Sequence, residues 1–147
     1  MSLPGYVRGR TLVVLMGVAR LHAMVQALIG KHEKDEGRDE DRYPPYLPVA
    51  VIERASMPDQ RVICSTLENV VLALESTGEQ RPPGLLVVGW AVLSLWGVGD
   101  MTVLDGPPDE ECDLRRIERW LDGKQWRISE GLDPLWNIFQ VKSSTVQ

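Results

Sequence analysis

Residues 11–30 read Thr11-Leu12-Val13-Val14-Leu15-Met16-Gly17-Val18-Ala19-Arg20-Leu21-His22-Ala23-Met24-Val25-Gln26-Ala27-Leu28-Ile29-Gly30. Thr11 to Met16 form a short continuous apolar run, which suits a strand buried on both faces. Gly17 follows as a turn. Leu21, Met24, Val25, Leu28 and Ile29 then recur at helical spacing, and Gly30 is a natural stop. Strand, glycine turn and helix form the repeating unit of a layered α/β protein.

Working outward, Val49 to Glu53 read as a second strand, Arg54 to Asp59 as a loop and Arg61 to Cys64 as a third strand. Ser65-Thr66-Leu67-Glu68 matches a capping box, with Ser65 as N-cap and Glu68 at the third helical position. Leu67, Val70, Val71 and Leu74 give that helix its apolar face, Gly78 ends it, and Pro82-Pro83 prevent its continuation. Leu85 to Val88 repeat the buried-strand signature, followed by a short apolar helical stretch through Leu95. Met101 to Leu104 read as one more strand. Asp109 to Leu121 read as a charged amphipathic helix with Leu114, Ile117, Trp120 and Leu121 facing inward. The apolar residues from Trp126 to Phe139 are expected to pack back, and Ser143 to Gln147 to fray. The expected fold is α/β, a mixed β-sheet with flanking helices over residues 4–105. Residues 106–147 are expected to form a helical, Trp-rich extension packed on the same domain.

The chain has 147 residues, 44% of them hydrophobic, enough for one domain with a real core. No apolar run approaches the roughly 20 residues of a membrane span. The start, Met1-Ser2-Leu3-Pro4-Gly5-Tyr6-Val7-Arg8, has no signal-peptide core. Two cysteines provide neither a disulfide scaffold nor a four-cysteine zinc site. An intracellular, cytoplasmic setting is expected. The net charge of −5 argues against general nucleic-acid binding. Ten of the twelve residues from Lys31 to Arg42 are charged, which predicts a solvated surface insertion; the alternative is a docking loop for a basic partner.

A search for catalytic chemistry in the residues finds little. His22 reads as helix surface and His32 as solvated loop, and their spacing makes a poor metal site. Cys64 reads as a buried, inert thiol, and Cys112 has no histidine to activate it. Gly97-Val98-Gly99-Asp100 lacks the third glycine and the strand-then-helix context of a phosphate loop. The residues alone give an α/β domain with no self-contained active site.

Several segments together resemble the tetrapyrrole methylases. Gly9 to Leu21 resemble the family's "TLVxxMGxxxL" segment, and Pro48 to Ser56 its "PVAxxExGT" strand and loop. Gln60-Arg61-Val62 match the "QRV" that follows, Thr66-Leu67 the "TL" opening the next helix, and Pro82 to Gly89 the "PPALVVVGxVV" element. These pieces occur in the family's order over roughly residues 4–105. Ser56 to Arg61 and Gln80 to Gly84 are similar to the fungal members that methylate uroporphyrinogen III.

The resemblance implies a methyl transfer from S-adenosylmethionine to ring carbons of uroporphyrinogen III, giving precorrin-2 on the way to sirohaem. In fungi that route serves sulfite reduction and methionine synthesis. A family member has two domains with the cofactor between them. The "GxGPGD" and "GGDP" segments and the acid-base residues of its first domain do not occur here. The expectation is a carboxyl-terminal half, inactive alone, with no catalytic residue of its own, working within a homodimer and without nucleic acid or membrane. Met16 matches a family methionine that contacts the adenosine of S-adenosylmethionine. Ala55 stands where the family usually has a cofactor-loop glycine, a departure that matters only if the loop needs a left-handed backbone there. Gly17 is a further cofactor candidate by close backbone approach. Against these stand plainer readings: Met16 as strand-end core and Ala55 as an ordinary loop residue. The substrate carries eight carboxylates while this domain is acidic, so Arg8, Arg10, Arg20, Arg54 and Arg61 are candidates to attract it, Arg61 being equally a structural ion-pair partner. The rival function is a non-catalytic protein-interaction module of the same fold, using a surface of Trp120, Trp126 and Trp136.

Overall fold

The apolar runs of the sequence become neighbouring strands. The computed structural model of the chain describes residues 3–30, 42–95 and 98–135. Five strands occur there: β1 (Leu12–Leu15), β2 (Pro48–Glu53), β3 (Arg61–Thr66), β4 (Gly84–Val88) and β5 (Trp126–Glu130). Three helices accompany them: α1 (Leu21–Ile29), α2 (Val70–Ser76) and α3 (Glu110–Leu121). The sheet order is β1-β4-β2-β3-β5. Val49, Ala50 and Val51 of the central strand β2 are fully buried, as are Ile63, Cys64, Leu86 and Val88 on its neighbours. Val25 and Leu28 of α1 and Val70 and Ala73 of α2 complete that core.

The layered α/β class is as expected, with one difference in the sheet. Every pairing is antiparallel, so strand directions alternate across it instead of mixing. The cause is β4, which inserts between β1 and β2 and runs against both. β1 is therefore an edge strand. Val13 and Leu15 on one of its faces are exposed, so burial on both faces does not hold.

The capping box at Ser65 does not form. β3 runs through Thr66, Ser65 pairs with both Val49 and Trp126, and its hydroxyl donates to the Gln125 carbonyl. The sheet thus takes the residues that would have opened the helix, and α2 starts at Val70. Met101 to Leu104 form a 3-10 turn, not a strand, because the Asp100 carboxylate accepts from the Thr102 N–H and caps it. The Thr102 hydroxyl, with that bond and Arg116 adding to it, holds the Asp100 carboxyl below its usual range.

The segment after residue 105 is helical only in part. Asp109 caps α3 by accepting from the Glu111 and Cys112 amides, and Asp122 leaves the helix in a left-handed conformation. The chain then adds β5 to the edge of β3, from Ser65↔Trp126 to Arg61↔Glu130. Trp120 is buried and Trp126 packs partly buried against the core, which weighs against a tryptophan docking surface. Trp136, with the remaining apolar tail residues Ile138 and Phe139, lies outside the described residues. So do His32, Trp96, Gly97 and the charged stretch up to Asp41. No described helix is long and apolar enough to cross a membrane.

Leu114, expected inside, is exposed, and Asp113 is buried in its place. Arg8 explains the reversal. Its guanidinium grips both Asp113 oxygens at 2.8 Å, donates to the Val103 carbonyl and stacks 5.1 Å from the Trp90 ring centroid. Arg116 adds a bond of 2.9 Å to Asp113. The hydrogen bond to the Asp113 carboxylate, and then its charge, raise the Arg8 pKa. Replacing Asp113 by Ala strands two partly buried guanidinium groups, a loss expected to cost about 3 kcal/mol. Urea unfolding checks this: a cost under ~1 kcal/mol would mean the cluster does not hold α3 to the amino-terminal segment.

Candidate functional site

Alternating strand directions decide which loops meet. β1 and β2 end where β4 begins, and β3 begins and β5 ends on the same side. Met16–Ala19, Arg54–Gln60 and Gln80–Pro83 therefore gather at one end of the sheet. The Met16 amide donates to the Gly84 carbonyl at 3.0 Å, and the Arg54 amide to the Pro83 carbonyl at 2.8 Å. The Arg54 guanidinium reaches the Pro82 carbonyl. A cavity of about 160 Å³ opens there, lined by Met16, Val18, Ala19, Arg81 and the Pro82–Pro83 pair, among others.

Beside the cavity stands a buried ion pair. Glu53 and Arg61 face each other across β2 and β3. Arg61 Nε lies 2.7 Å from Glu53 Oε1, and both side chains are about 97% or more buried, at 1% and 3% exposure. Glu53 Oε2 accepts from the Arg81 amide at 2.6 Å, and Arg61 donates on to the Glu79 carbonyl at 3.0 Å. The pair thereby fixes the segment Glu79–Arg81 that leads into the cavity wall.

Met16 is 80% exposed at the mouth of the cavity, so it is not strand-end core. Its φ of 58° is left-handed, a conformation that costs an unbranched residue about 1–2 kcal/mol and recurs where a chain is held for function. Gly17 is buried at an ordinary φ of −86°. A Cβ there would meet Met24 Cε at 2.7 Å and Val14 Cγ1 at 2.9 Å, so its requirement for glycine comes from packing of α1 on β1. Ala55 is exposed between Arg54 (φ 50°) and Ser56 (φ 68°), which take the left-handed conformations on either side of it. Alanine therefore carries no left-handed strain at 55. The structure brings Met16 together with Gln80–Gly84 and leaves Gly17 and Ala55 outside the residues that line the cavity. Arg81 was not foreseen as a site residue; only the adjoining Pro82-Pro83 gave a signal.

The five candidate arginines divide. Arg61 and Arg8 are structural. Arg54 Nε lies 2.6 Å from Asp59 and holds that carboxyl below its usual range. Arg20 is exposed next to the cavity residue Ala19, and Arg10 is exposed before β1, at the opposite end of the sheet. His22 is on the helix surface, and Cys64 is buried, as expected.

A larger cleft of about 560 Å³ lies at that opposite end, beside α3. Its arginines are largely committed: Arg116 to Asp100 and Asp113, Arg115 to Glu111. Cys112 lines it, but the hydrogen bond to the Asp109 carboxylate pushes its thiol pKa up, the wrong direction for a nucleophile. No group of three or more metal-ligating side chains occurs among the described residues.

A domain of this form, with its loops gathered at one sheet end, is the setting in which relatives are informative. No family model matches the chain. A probable uroporphyrinogen-III C-methyltransferase of Schizosaccharomyces pombe is 43% identical over 94 residues, 64% of this chain and 17% of that protein. The uroporphyrinogen-III C-methyltransferase of Saccharomyces cerevisiae is 42% identical over 93 residues, 63% of this chain and 14% of that protein. An S-adenosyl-L-methionine-dependent uroporphyrinogen III methyltransferase of Methanosarcina barkeri is 40% identical over 81 residues, 55% of this chain and 28% of that protein. Among solved structures, the uroporphyrin-III C-methyl transferase of Thermus thermophilus complexed with S-adenyl homocysteine has 34% identity and a TM-score of 0.41, over 56% of this chain and 30% of that one. This chain is related in sequence to the uroporphyrinogen-III C-methyltransferases over about 64% of its length, and it spans less than a third of the length of the curated relatives it matches.

Two substitutions test the geometry. Glu53→Ala leaves Arg61 buried without its counter-charge and should cost about 3–5 kcal/mol; a cost near zero in urea unfolding would remove the pair from its structural role. Gly17→Ala should cost about 1–3 kcal/mol, because the stiff Val14 cannot move aside as Met24 can. An unchanged melting temperature would mean that α1 has room to shift on β1.

Proposed function

We infer that this chain forms the carboxyl-terminal wall of an S-adenosylmethionine site in a uroporphyrinogen-III C-methyltransferase. The observation that carries the reading is the outward, left-handed Met16 lining one cavity with Pro82–Pro83, in a chain 42–43% identical to the fungal enzymes over 93–94 residues. Size supports a shared site. The cavity of about 160 Å³ is below the ~300 Å³ at which ordinary ligand pockets begin, so it accommodates one part of the cofactor. The donor set fits the adenosine end. A thioether, a proline wall and the small side chain of Ala19 give apolar contact, and Gln80 adds polar atoms.

When bound, the cofactor supplies an electrophilic methyl group. This chain's contribution is positional: Met16 and the proline segment hold the nucleoside, and the Glu53–Arg61 pair keeps that wall fixed. Holding the two reactants in line is itself worth a large rate factor. The acid-base work and most recognition of the eight substrate carboxylates fall to the other domain, with Arg20 a candidate contributor here. Ala55 lies on the neighbouring loop and serves through its backbone. The working assembly is a homodimer in the cytoplasm, and the product enters sirohaem biosynthesis.

Calorimetric titration of S-adenosylhomocysteine tests the reading. Binding is expected when the amino-terminal half is supplied with this chain and to be weak or absent with the chain alone, which by itself should turn over no substrate. Binding to neither preparation, with both halves folded, would overturn the proposal.

A further inference from the structure

We propose that β5 is a brace for the candidate cofactor site, with Glu130 as its positioning residue. The inference rests on the cofactor reading for its consequence, but its geometry stands apart from it. β5 ends on the same side of the sheet as the cavity, because Glu130 pairs with Arg61, and Arg61 with Glu53. Two bonds leave its end. Glu130 Oε1 accepts from Arg81 Nη2 at 2.9 Å, and the Gly131 amide donates to the Gln60 carbonyl at 2.7 Å.

Each bond lands on a different site loop. Gln60 closes the loop that carries Ala55, and its own side chain accepts from the Ser56 amide at 2.8 Å. Arg81 lines the cavity, and its second terminal nitrogen reaches the Asp59 carbonyl at 3.3 Å. One guanidinium therefore spans from β5 to the 54–60 loop, while its own backbone amide is held by Glu53. Removing Glu130 frees Arg81 to swing into or out of the cavity, and leaves the buried Glu53–Arg61 pair intact beneath it.

The pair is open to solvent, with Arg81 31% and Glu130 61% exposed, so its share of global stability is small. That makes the positioning effect separable from folding. Glu130→Gln keeps the shape of the side chain and removes the charge. Its melting temperature should stay within about 2 °C of the unchanged chain, while hydrogen exchange at the Arg81 and Gly131 amides accelerates about three- to fivefold, the range an exposed ion pair supports. In the preparation that binds S-adenosylhomocysteine, the Kd should rise by a similar factor at unchanged melting temperature.

Unchanged exchange at both amides would overturn the brace whether or not the ligand binds. Faster exchange with an unchanged Kd, in a preparation that binds, would overturn the positioning role. A fall of many degrees in melting temperature would make Glu130 merely structural and would likewise overturn it. If no preparation binds S-adenosylhomocysteine, the cofactor reading fails by itself and the exchange result still decides the brace.

Discussion

The buried Glu53–Arg61 pair is the constraint on which the candidate site depends. A carboxylate and a guanidinium inside the domain would each cost several kcal/mol if alone. Together they are tolerated because every strong contact is used: Arg61 bonds Glu53 and the Glu79 carbonyl, and Glu53 also accepts from the Arg81 amide. A leucine pair of similar size could fill the same space. It could not hold the Glu79–Arg81 backbone, whose polar groups would then have no partner of equal strength. The pair is therefore best understood as a device that gives the loop leading into Pro82–Pro83 one position.

The opposite end of the sheet is fixed in the same manner by a separate cluster. Arg8, ahead of β1, meets Asp113 on α3, and Arg116 joins Asp113 to Asp100. The Arg8–Asp113 contact joins residues 105 apart in sequence, so it closes the domain around the β1–β4–β2 core. The two clusters divide the work. One joins the segment ahead of β1 to α3, while the other shapes a surface.

Much of this could be read from the residues, and the failures have identifiable causes. Apolar runs located β2, β3 and β4 because burial selects Val, Leu and Ile where strands lie inside a sheet, while β1 keeps the same composition at the edge with Val13 and Leu15 exposed. Met101–Leu104 carries the same composition yet forms a 3-10 turn, since the Asp100 carboxylate offers the backbone a local partner. Leu114 and Asp113 exchanged places because the helical pattern registers hydrophobicity and is blind to an arginine arriving from residue 8. β5 was missed for a related reason: Trp126, Ile128 and their polar neighbours form too short an alternation to distinguish an edge strand from a loop. At the candidate site, a resemblance nominated Met16, which the structure places at the cavity, whereas nothing in the sequence marked Arg81, because its contacts are with Glu53 and Glu130, 28 and 49 residues away.

A wall that meets only part of a ligand contributes little contact energy, so it cannot offset the entropy of ordering its own loops at the moment of binding. Loops that are already tied satisfy that demand in advance. Met16 is hydrogen-bonded through its amide to Gly84, Arg54 to Pro83, and Arg81 to Glu53, all within the protein. The left-handed strain at Met16 is likewise met by folding, through the ladder that ends there and the packed Gly17 that follows. What stays exposed is small: the Met16 side chain and Ala55, on backbone that these bonds hold in place. A partner surface closing over this end of the sheet would meet backbone already fixed by these bonds, so little ordering entropy would remain to be lost on contact.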